Sequence, residues 1–341
     1  MQRCLDLALL GKGNVSPNPM VGCVIVNEQD QIIAEGFHAV FGGPHAEVVA
    51  IASVKDPSLL KNCTLYVSLE PCSHFGKTPP CCNLIVQMGI PKVVIAMLDP
   101  NPLVAGKGVK ALQEAGIKVE IGQLENEAKV LNKTFIHQQI NNRPYYILKW
   151  ARTANNKMGK TFYAADESKQ ISGGLSQTYS HKWRTEVDAI LVGANTIISD
   201  QPHLNARHWP GNNPTVIILD PNLKTNASQY KFSSGVKVLV INKQKSEIKG
   251  NIECTSISFD DWQNQLNQAL ISRNIQTVLV EGGAFTLEQF IACNLWDECC
   301  VFTSTEPKQW DIDAPNQPGI VKECIDFQTD TLTISLPSTP F

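Results

Sequence analysis

One histidine and two cysteines of this chain are spaced as ligands of a catalytic metal ion. His45 and Glu47 stand in a His-Ala-Glu sequence, and eight residues separate Cys72 from Cys81. Imidazole and two thiolates can bind zinc, and three protein ligands leave the fourth coordination position open to water. Glu47 would lie beside that water, where a carboxylate that does not bind the metal can carry protons. The pattern therefore predicts that three distant segments fold together around zinc.

Apolar runs alternate with helical patterns along the whole chain, which indicates layered α/β domains. In the first part, strands are predicted at Met20–Asn27, Ile32–Phe37 (the hairpin partner of the first), Thr64–Leu69, Lys92–Met97 and Ile117–Ile121, and helices at His45–Val54, Cys81–Met88 and Val104–Ala115. In the second part, strands are predicted at Tyr145–Ala151, Ala189–Gly193, Thr215–Asp220, Lys237–Ile241, Thr277–Glu281, Glu298–Ser304 and within Phe327–Leu336, and helices at Leu175–Glu186, Phe259–Ser272 and Ala284–Cys293. A polar break, Asn-Asn-Arg-Pro at 141–144, predicts two domains, 1–143 and 144–341.

Composition limits the classes of function. The 341 residues carry a formal net charge of −3, so no strong bulk attraction to nucleic acid is expected. No apolar run approaches the roughly 20 residues that cross a bilayer, and the amino terminus has no signal-peptide pattern, so a cytoplasmic location is expected. Eleven cysteines in a chain of this length do not suggest a disulfide framework. A homo-oligomer is also expected.

The predicted helix starts favour metal binding. Partial positive charge at helix amino termini favours the thiolate forms of Cys72 and Cys81 and hydroxide at the metal. Cys82 is a rival ligand to Cys81, which is preferred because it follows the double proline. For any one of these residues, helix capping or simple packing is the ordinary role; the combination favours zinc. The loop between Cys72 and Cys81 offers polar groups for a substrate carbonyl or phosphate at His74, Lys77 and Thr78.

Three motifs carry a family resemblance: Ser-Pro-Asn-Pro-Met-Val-Gly at 16–22, the long cysteine loop at 72–81, and Asp-Pro-Asn-Pro-Leu-Val-Ala-Gly-Lys-Gly at 99–108. Together they resemble the RibD family of bifunctional riboflavin-biosynthesis proteins. The resemblance implies a cytidine-deaminase-like three-layer domain followed by a dihydrofolate-reductase-like α/β domain. It also implies zinc-dependent deamination of a phosphorylated diaminopyrimidine and NADPH-dependent reduction of its ribosyl group to ribityl. The metal ligands would be His45, Cys72 and Cys81, the proton shuttle Glu47, and the pocket residues Asn18, His74, Lys77, Thr78, Asp99 and Asn101.

Asp99 and Asn101 could equally form turns in their Asp-Pro-Asn-Pro sequence. In the second domain, Glu281-Gly282-Gly283 alone gives only a weak signal for a phosphate at a helix start. The resemblance implies catalytic roles for Lys149 and Asp200. It assigns substrate binding to Ser168, Arg184, Leu204, Arg207 and Glu281, and cofactor binding to Ala151, Gln170, Thr196, Asp200 and Gly283. Arginine forks suit the substrate phosphate, which favours Arg184 and Arg207 for that contact.

The second domain departs from the family pattern. Gln170 stands where a tryptophan is common, and Thr153-Ala154-Asn155-Asn156 stands where Ser-Leu-Asp-Gly-like residues are common. Two alternatives therefore stay open, both with a catalytically degenerate reductase domain. In one the first domain is an active zinc deaminase, and in the other it is a zinc-stabilised scaffold without enzymatic activity. A third is a deaminase of free nucleosides or of tRNA, although the charge balance gives no hint of a basic face.

Overall fold

The computed structural model describes residues 1–73, 79–161, 168–226, 232 and 235–338. The chain divides into two compact units, Met1–Asn142 and Arg143–Phe341. Each unit has its own sheet and its own hydrophobic clusters. No helix in the described ranges is long and apolar enough to cross a membrane.

A mixed sheet forms the centre of the amino-terminal unit. Its strands in the described residues are β1 (Gly22–Val26), β2 (Ile32–Phe37), β3 (Thr64–Val67), β4 (Lys92–Ile95) and β5 (Lys118–Ile121). They lie in the order β2-β1-β3-β4-β5, with antiparallel pairing on both sides of β1 and parallel pairing from β3 to β5. The predicted strand Ile32–Phe37 and its hairpin pairing are confirmed.

Helices cover both faces of this sheet. They are α1 (Gln2–Leu9), α2 (Ala46–Ala52), α3 (Cys81–Gln87), α4 (Lys107–Glu114), α5 (Glu125–Leu131) and α6 (Lys133–Asn141), with a 3-10 helix at Pro57–Asn62. Helices α2, α3 and α4 pack on one face, and α1, α5 and α6 on the other. In β3, Leu65 packs in the hydrophobic cluster formed with α2, α3 and α4, and Tyr66 packs in a cluster formed with α1 on the other face. Burial on both faces explains the nearly continuous apolar runs that predicted these strands.

Two helices of this unit begin later than predicted, each for a local backbone reason. His45 is extended, with φ −72° and ψ 159°, so α2 begins at Ala46 and His45 is its N-cap. Gly106 has φ 77°, a left-handed conformation that glycine adopts without strain, so α4 begins at Lys107 rather than Val104. The sequence pattern does not predict the short helices α1, α5 and α6.

The carboxy-terminal unit is built on a larger sheet. Its strands in the described residues are β6 (Tyr145–Arg152), β7 (Lys157–Gly159), β8 (Ala189–Gly193), β9 (Thr215–Leu219), β10 (Val238–Asn242), β11 (Glu247–Lys249), β12 (Ile252–Ser256), β13 (Thr277–Val280), β14 (Glu298–Ser304), β15 (Ile312–Asp313), β16 (Ile320–Asp326) and β17 (Asp330–Leu336). The main sheet has the order β11-β12-β10-β9-β8-β13-β6-β14-β17-β16, and β7 pairs with β15 in a separate ribbon. Pairing is parallel from β12 through to β14 and antiparallel at the two ends.

The helices of this unit are α7 (Gly174–Glu186), α8 (Ala194–Asp200), α9 (Trp262–Ile271) and α10 (Ala284–Ala292) in the described residues. The strands Ala189–Gly193 and Glu298–Ser304 are confirmed residue for residue. The sequence pattern misses β16, which lies at the sheet edge and is exposed along most of its length, so that it shows no apolar run. It also misses α8, which has only seven residues.

The parallel strands place their carboxyl ends at one edge of the sheet, where ligands bind in open α/β folds. Strand β13 pairs with β6 so that Val280 faces Leu148. Continuing this register by one residue places Glu281 beside Lys149. The sheet therefore brings together two charged residues that are far apart in the sequence.

Candidate active sites

The three predicted metal ligands lie together in the amino-terminal unit. His45 is the N-cap of α2, Cys72 follows β3, and Cys81 is the first residue of α3. The His45 Nδ1 atom lies 3.6 Å from the Cys72 Sγ and 3.3 Å from the Cys81 Sγ. One ligand atom from each residue lies within 4.8 Å of the other two. The fold thus gathers imidazole and two sulphur atoms at one point.

This spacing suits a tetrahedral zinc ion. Zinc–nitrogen and zinc–sulphur bonds of about 2.0 and 2.3 Å at tetrahedral angles place nitrogen and sulphur about 3.5 Å apart. The observed separations of 3.6 and 3.3 Å are close to that value. A hydrogen bond from the Cys81 thiol, together with contacts from His45 and the Cys81 amide, lowers the pKa of Cys72 to about 4. Donating that hydrogen bond raises the pKa of Cys81. The imidazole nitrogen and the two sulphur atoms are thus close enough together to bind one cation.

The structure separates the two adjacent cysteines. The Cys82 thiol is buried within hydrogen-bond distance of two carbonyl oxygens, that of Pro71 at 3.2 Å and that of Gly108 at 3.6 Å. The Cys81 sulphur instead contacts His45. Cys82 therefore has a structural role between two backbone segments, and Cys81 is the residue that joins the cluster.

Glu47 is the buried carboxylate of this site. It lies in the first turn of α2 and is 3% exposed. Burial raises the pKa of Glu47 to about 7, and the Cys81 sulphur is a hydrogen-bonding neighbour. A carboxyl group with such a pKa can both take up and release a proton near neutral pH.

A second histidine orients the predicted substrate residue Asn18. The His38 Nδ1 atom lies 2.9 Å from the Pro44 carbonyl oxygen, which can only accept, so Nδ1 carries the proton. The His38 Nε2 atom must then accept from the Asn18 amide nitrogen, 3.0 Å away. Burial lowers the pKa of His38, in keeping with this neutral form. The sequence analysis did not single out His38, because its role depends on the contact with Asn18.

The Asp-Pro-Asn-Pro segment forms turns. The Asn101 amide N–H donates to the Asp99 Oδ1 at 2.8 Å, and the Leu103 N–H donates to the Asn101 Oδ1 at 2.9 Å. The Asp99 and Asn101 side chains thus both stabilise turns, as the alternative interpretation of this segment expected. The predicted pocket residues His74, Lys77 and Thr78 lie outside the described residues.

In the carboxy-terminal unit, the predicted residues Lys149, Arg184 and Glu281 form a buried charged cluster. Arg184 donates from Nε and Nη2 to the two Glu281 carboxylate oxygens, at 3.0 and 2.7 Å. The Lys149 Nζ atom lies 3.8 Å from the same carboxylate. Burial would raise the pKa of Glu281, but the positive charges of Arg184 and Lys149 outweigh it, and the pKa falls to about 2. Burial also lowers the pKa of Lys149, against the opposing effect of Glu281.

A cavity of about 560 Å³ adjoins this cluster. It brings together most of the predicted reductase residues: Lys149, Ala151, Gln170, Arg184, Asp200, Leu204 and Arg207. Asp200 is the last residue of α8 and lies 3.4 Å from the Lys169 Nζ atom. Arg207 donates to the Asn205 side-chain oxygen at 3.0 Å. These residues line one open site beside the buried Lys149–Glu281 pair.

Four predicted residues lie outside the lining of this cavity: Glu281, which belongs to the charged cluster, and Ser168, Thr196 and Gly283. Ser168 lines a neighbouring recess of about 400 Å³ with Lys160, Lys308 and Trp310. Thr196 and Gly283 contact each other, because the Gly283 N–H donates to the Thr196 hydroxyl oxygen at 3.0 Å. That contact joins the starts of α8 and α10, and it uses the Gly283 N–H that the weak Gly-Gly signal offered to a phosphate.

His181 is a residue of the cavity wall that the sequence analysis missed. It is 4% exposed, and its Nδ1 atom is buried without a hydrogen-bond partner in the described residues. Burial, with the positive charges of Arg184 and Arg207, lowers the pKa of His181 to about 4. No motif surrounds it, and its spacing three residues before Arg184 on α7 was the only available signal.

Family models match both units. Residues 1–97 match the cytidine and deoxycytidylate deaminase zinc-binding region, and residues 144–305 match the RibD C-terminal domain. The riboflavin biosynthesis protein RibD of Aquifex aeolicus is 40% identical over 309 residues, covering 89% of this chain and 85% of its own length. The chain belongs to the RibD family. The RibD protein of Haemophilus influenzae is 36% identical over 318 residues, covering 89% of this chain and 84% of its own length.

Solved structures of RibD proteins agree with the whole fold. A Thermotoga maritima diaminohydroxyphosphoribosylaminopyrimidine deaminase/5-amino-6-(5-phosphoribosylamino)uracil reductase has 37% identity and a TM-score of 0.87, covering 99% of this chain and 97% of that one. Acinetobacter baumannii RibD has 32% identity and a TM-score of 0.86, covering 99% and 98%. The predicted fold class is confirmed: a cytidine-deaminase-like domain precedes a RibD reductase domain. The cofactors of this family are zinc in the first domain and NADPH in the second.

Proposed function

We propose that this chain is a bifunctional enzyme of riboflavin biosynthesis with two active sites. The amino-terminal unit hydrolyses the amine of a diaminohydroxyphosphoribosylaminopyrimidine and releases ammonia. The carboxy-terminal unit then reduces the ribosyl group of 5-amino-6-(5-phosphoribosylamino)uracil to ribityl. The observation that carries the proposal is the convergence of His45, Cys72 and Cys81 beside the buried carboxyl of Glu47.

In the deaminase site, His45, Cys72 and Cys81 hold the metal. Zinc supplies a Lewis acid there that lowers the pKa of water to about 7. Glu47 takes a proton from the attacking water as the carbon–oxygen bond forms at the ring carbon. It then delivers that proton to the amine nitrogen, whose carbon–nitrogen bond breaks to release ammonia. This proton transfer contributes about 10²–10⁴ to the rate.

The substrate ring is held by the wall of this site. Because His38 fixes the amide of Asn18, the Asn18 carbonyl oxygen and second N–H are oriented for the polar edge of a pyrimidine. Asp99 and Asn101 approach the substrate from the turn that they form. His74, Lys77 and Thr78 remain part of the proposal from the sequence alone.

In the reductase site, NADPH supplies the hydride. Glu281 contacts the pyrimidine, and its ionised state is secured by Arg184 and Lys149. Lys149 and Asp200 polarise the sugar and supply the proton that the reduced ring-opened ribose needs. Arg207, with Ser168 and Leu204, binds the substrate and its phosphate. Ala151, Gln170, Thr196, Asp200 and Gly283 bind the cofactor.

Product analysis tests the proposal. Zinc-replete protein is incubated with the diaminopyrimidine substrate, with and without NADPH, and the products are identified by mass spectrometry. We expect ammonia and the deaminated ribosyl compound without NADPH, and the ribityl compound with it. Failure of the zinc-replete protein to release ammonia from this substrate would exclude the deaminase assignment. A chelated sample with unchanged deamination would exclude the metal.

The competing hypotheses are less well supported. A degenerate reductase unit is not favoured, since the family model extends over residues 144–305 and the Lys149–Glu281–Arg184 cluster is intact. Deamination of nucleosides or tRNA is tested in the same assay with cytidine and with tRNA as substrates. Cytoplasmic location and a homo-oligomer complete the proposal, the latter measurable by sedimentation of the full chain.

A further inference from the structure

A second buried carboxylate stands next to the deaminase site and has no part in the steps above. Glu70 lies two residues before Cys72 and is 6% exposed. Its Oε2 atom accepts from the N–H groups of Asp99 and Gly106, at 3.1 and 3.0 Å. Its Oε1 atom accepts from the N–H groups of Gly108 and Val109, at 2.8 and 3.2 Å. Four main-chain donors from one distant segment thus converge on this single side chain.

The segments that Glu70 joins pack closely against each other. Helix α4 has no side-chain cap of its own, and Glu70 satisfies N–H groups at its start, where negative charge is favoured. A Cβ atom at Gly108 would lie 2.2 Å from the Pro71 carbonyl oxygen and 3.0 Å from the Glu70 Oε1 atom. Only glycine permits this approach. The Cys82 thiol adds a link from the opposite side, since it contacts the carbonyls of both Pro71 and Gly108.

Glu70 therefore joins the segment that carries the metal ligand Cys72 to the segment that carries Asp99 and Asn101. The Asp99 N–H is held directly by Glu70, and the Asp99 carboxylate then holds the Asn101 N–H in the turn. Each Glu70 oxygen already accepts two hydrogen bonds, so this carboxylate is saturated. Glu47, by contrast, sits beside the metal ligands, where protons must move. The two buried glutamates have different tasks.

We propose that Glu70 is a positioning residue for deamination, which fixes the Asp99–Asn101 turn relative to Cys72 and so sets the affinity for the pyrimidine substrate. The inference rests on the proposed function, because it takes Asp99 and Asn101 as substrate contacts. It adds that their placement depends on a side chain from the metal-ligand segment. No step of bond making or breaking passes through Glu70.

The variant Glu70→Gln tests this role in the full-length, zinc-loaded protein. The amide nitrogen cannot accept, so two of the four N–H groups lose their partner whichever way the amide turns. We expect the deaminase KM for the diaminopyrimidine to rise at least about tenfold, equivalent to about 1.4 kcal/mol. We expect kcat to change by less than about threefold, because the interaction lost serves binding rather than the chemical step. Zinc content should stay at that of the wild type.

The matched control is Glu114→Gln, an exposed carboxylate at the far end of α4 whose Lys110 contact is 3.7 Å. It should leave all parameters unchanged. Reductase activity of the same Glu70→Gln sample reports on the integrity of the chain. An unchanged KM would overturn the proposal, and so would loss of zinc, because Glu70 would then support the metal ligands instead. If wild-type protein fails to deaminate the substrate, the proposed function itself has failed, and that result is distinct from both.

Discussion

Removal of the Glu281 charge should destabilise the carboxy-terminal unit by an amount that depends on pH. The folded protein lowers the pKa of Glu281 from its ordinary value of 4.5 to about 2. A carboxyl group whose pKa is lower in the folded than in the unfolded protein stabilises the fold at pH values above its unfolded-state pKa. This stabilisation is lost as the pH falls through the folded-state pKa. The shift corresponds to about 3 kcal/mol at pH 7 and only about 1 kcal/mol at pH 3.

The perturbation is Glu281→Gln, which keeps the shape and removes the charge. It leaves Arg184 and Lys149 buried without their anion, a loss of the kind that costs about 3–5 kcal/mol. Lys149 can release its proton, but Arg184 cannot, so the lower part of that range is expected. For a unit of this size, about 3 kcal/mol corresponds to a fall in Tm of about 6–12 °C.

Tryptophan fluorescence gives an assay specific to this unit. All six tryptophans of the chain follow residue 143, so denaturant unfolding followed by their emission reports on the carboxy-terminal unit. The control is Asp313→Asn, which changes a largely exposed carboxylate whose partner Lys157 lies 2.7 Å away. An exposed pair of that kind is worth about 1 kcal/mol or less. Equal stability of Glu281→Gln and wild type at pH 7, or a difference that does not shrink towards pH 3, would refute the reasoning.

Three further predictions concern the two active sites. Glu47→Gln should retain zinc but lower deamination by about 10²–10⁴, with reductase activity unchanged, because only the proton shuttle is lost; retained ammonia release would remove Glu47 from the mechanism. Cys81→Ser should lose zinc, measured by atomic absorption, whereas Cys82→Ser should keep it, since the hydrogen-bond contacts of the Cys82 thiol in the described residues are with the backbone carbonyls of Pro71 and Gly108; the reverse result would exchange their roles. Asp200→Asn should make the deaminated, unreduced compound accumulate in the presence of NADPH; a normal rate of NADPH oxidation would contradict its assignment.

The sequence predicts the chemistry of the metal site well, because zinc ligands are recognised by residue type and by the elements that carry them. His45, Cys72 and Cys81 each stand at an end of a helix or strand whose apolar pattern is strong, so their meeting follows from the order of elements. The sequence favours Cys81 over Cys82 only through its position after the double proline, since adjacent residues at a helix start differ mainly in the direction of their side chains. The structure separates them through the carbonyls of Pro71 and Gly108.

Residues that act through the backbone of another segment leave no such pattern. Glu70 contacts main-chain N–H groups that lie 29 to 39 residues further along the chain. Its role depends on how closely α4 approaches the metal-ligand segment, and that distance is set by the sheet. His38 is similar, because it matters only through Asn18 and the Pro44 carbonyl. In each case the side chain is recognisable in the sequence, but its partner is not.

For Arg184 the residue type suggests a phosphate partner, but in the folded protein the guanidinium already binds the Glu281 carboxylate. A guanidinium fork suits phosphate, and the sequence favours that contact for both Arg184 and Arg207. The fold turns the Nε and Nη2 edge of Arg184 onto Glu281 and its Nη1 onto the Asn205 carbonyl oxygen, at 2.9 Å. A bidentate phosphate contact at that edge would have to break a buried ion pair. In the described residues, Arg207 is exposed on the cavity wall and donates a hydrogen bond to the neutral side chain of Asn205. Arg207 is therefore the stronger choice for the phosphate, and we expect Arg184 to serve the pyrimidine through Glu281.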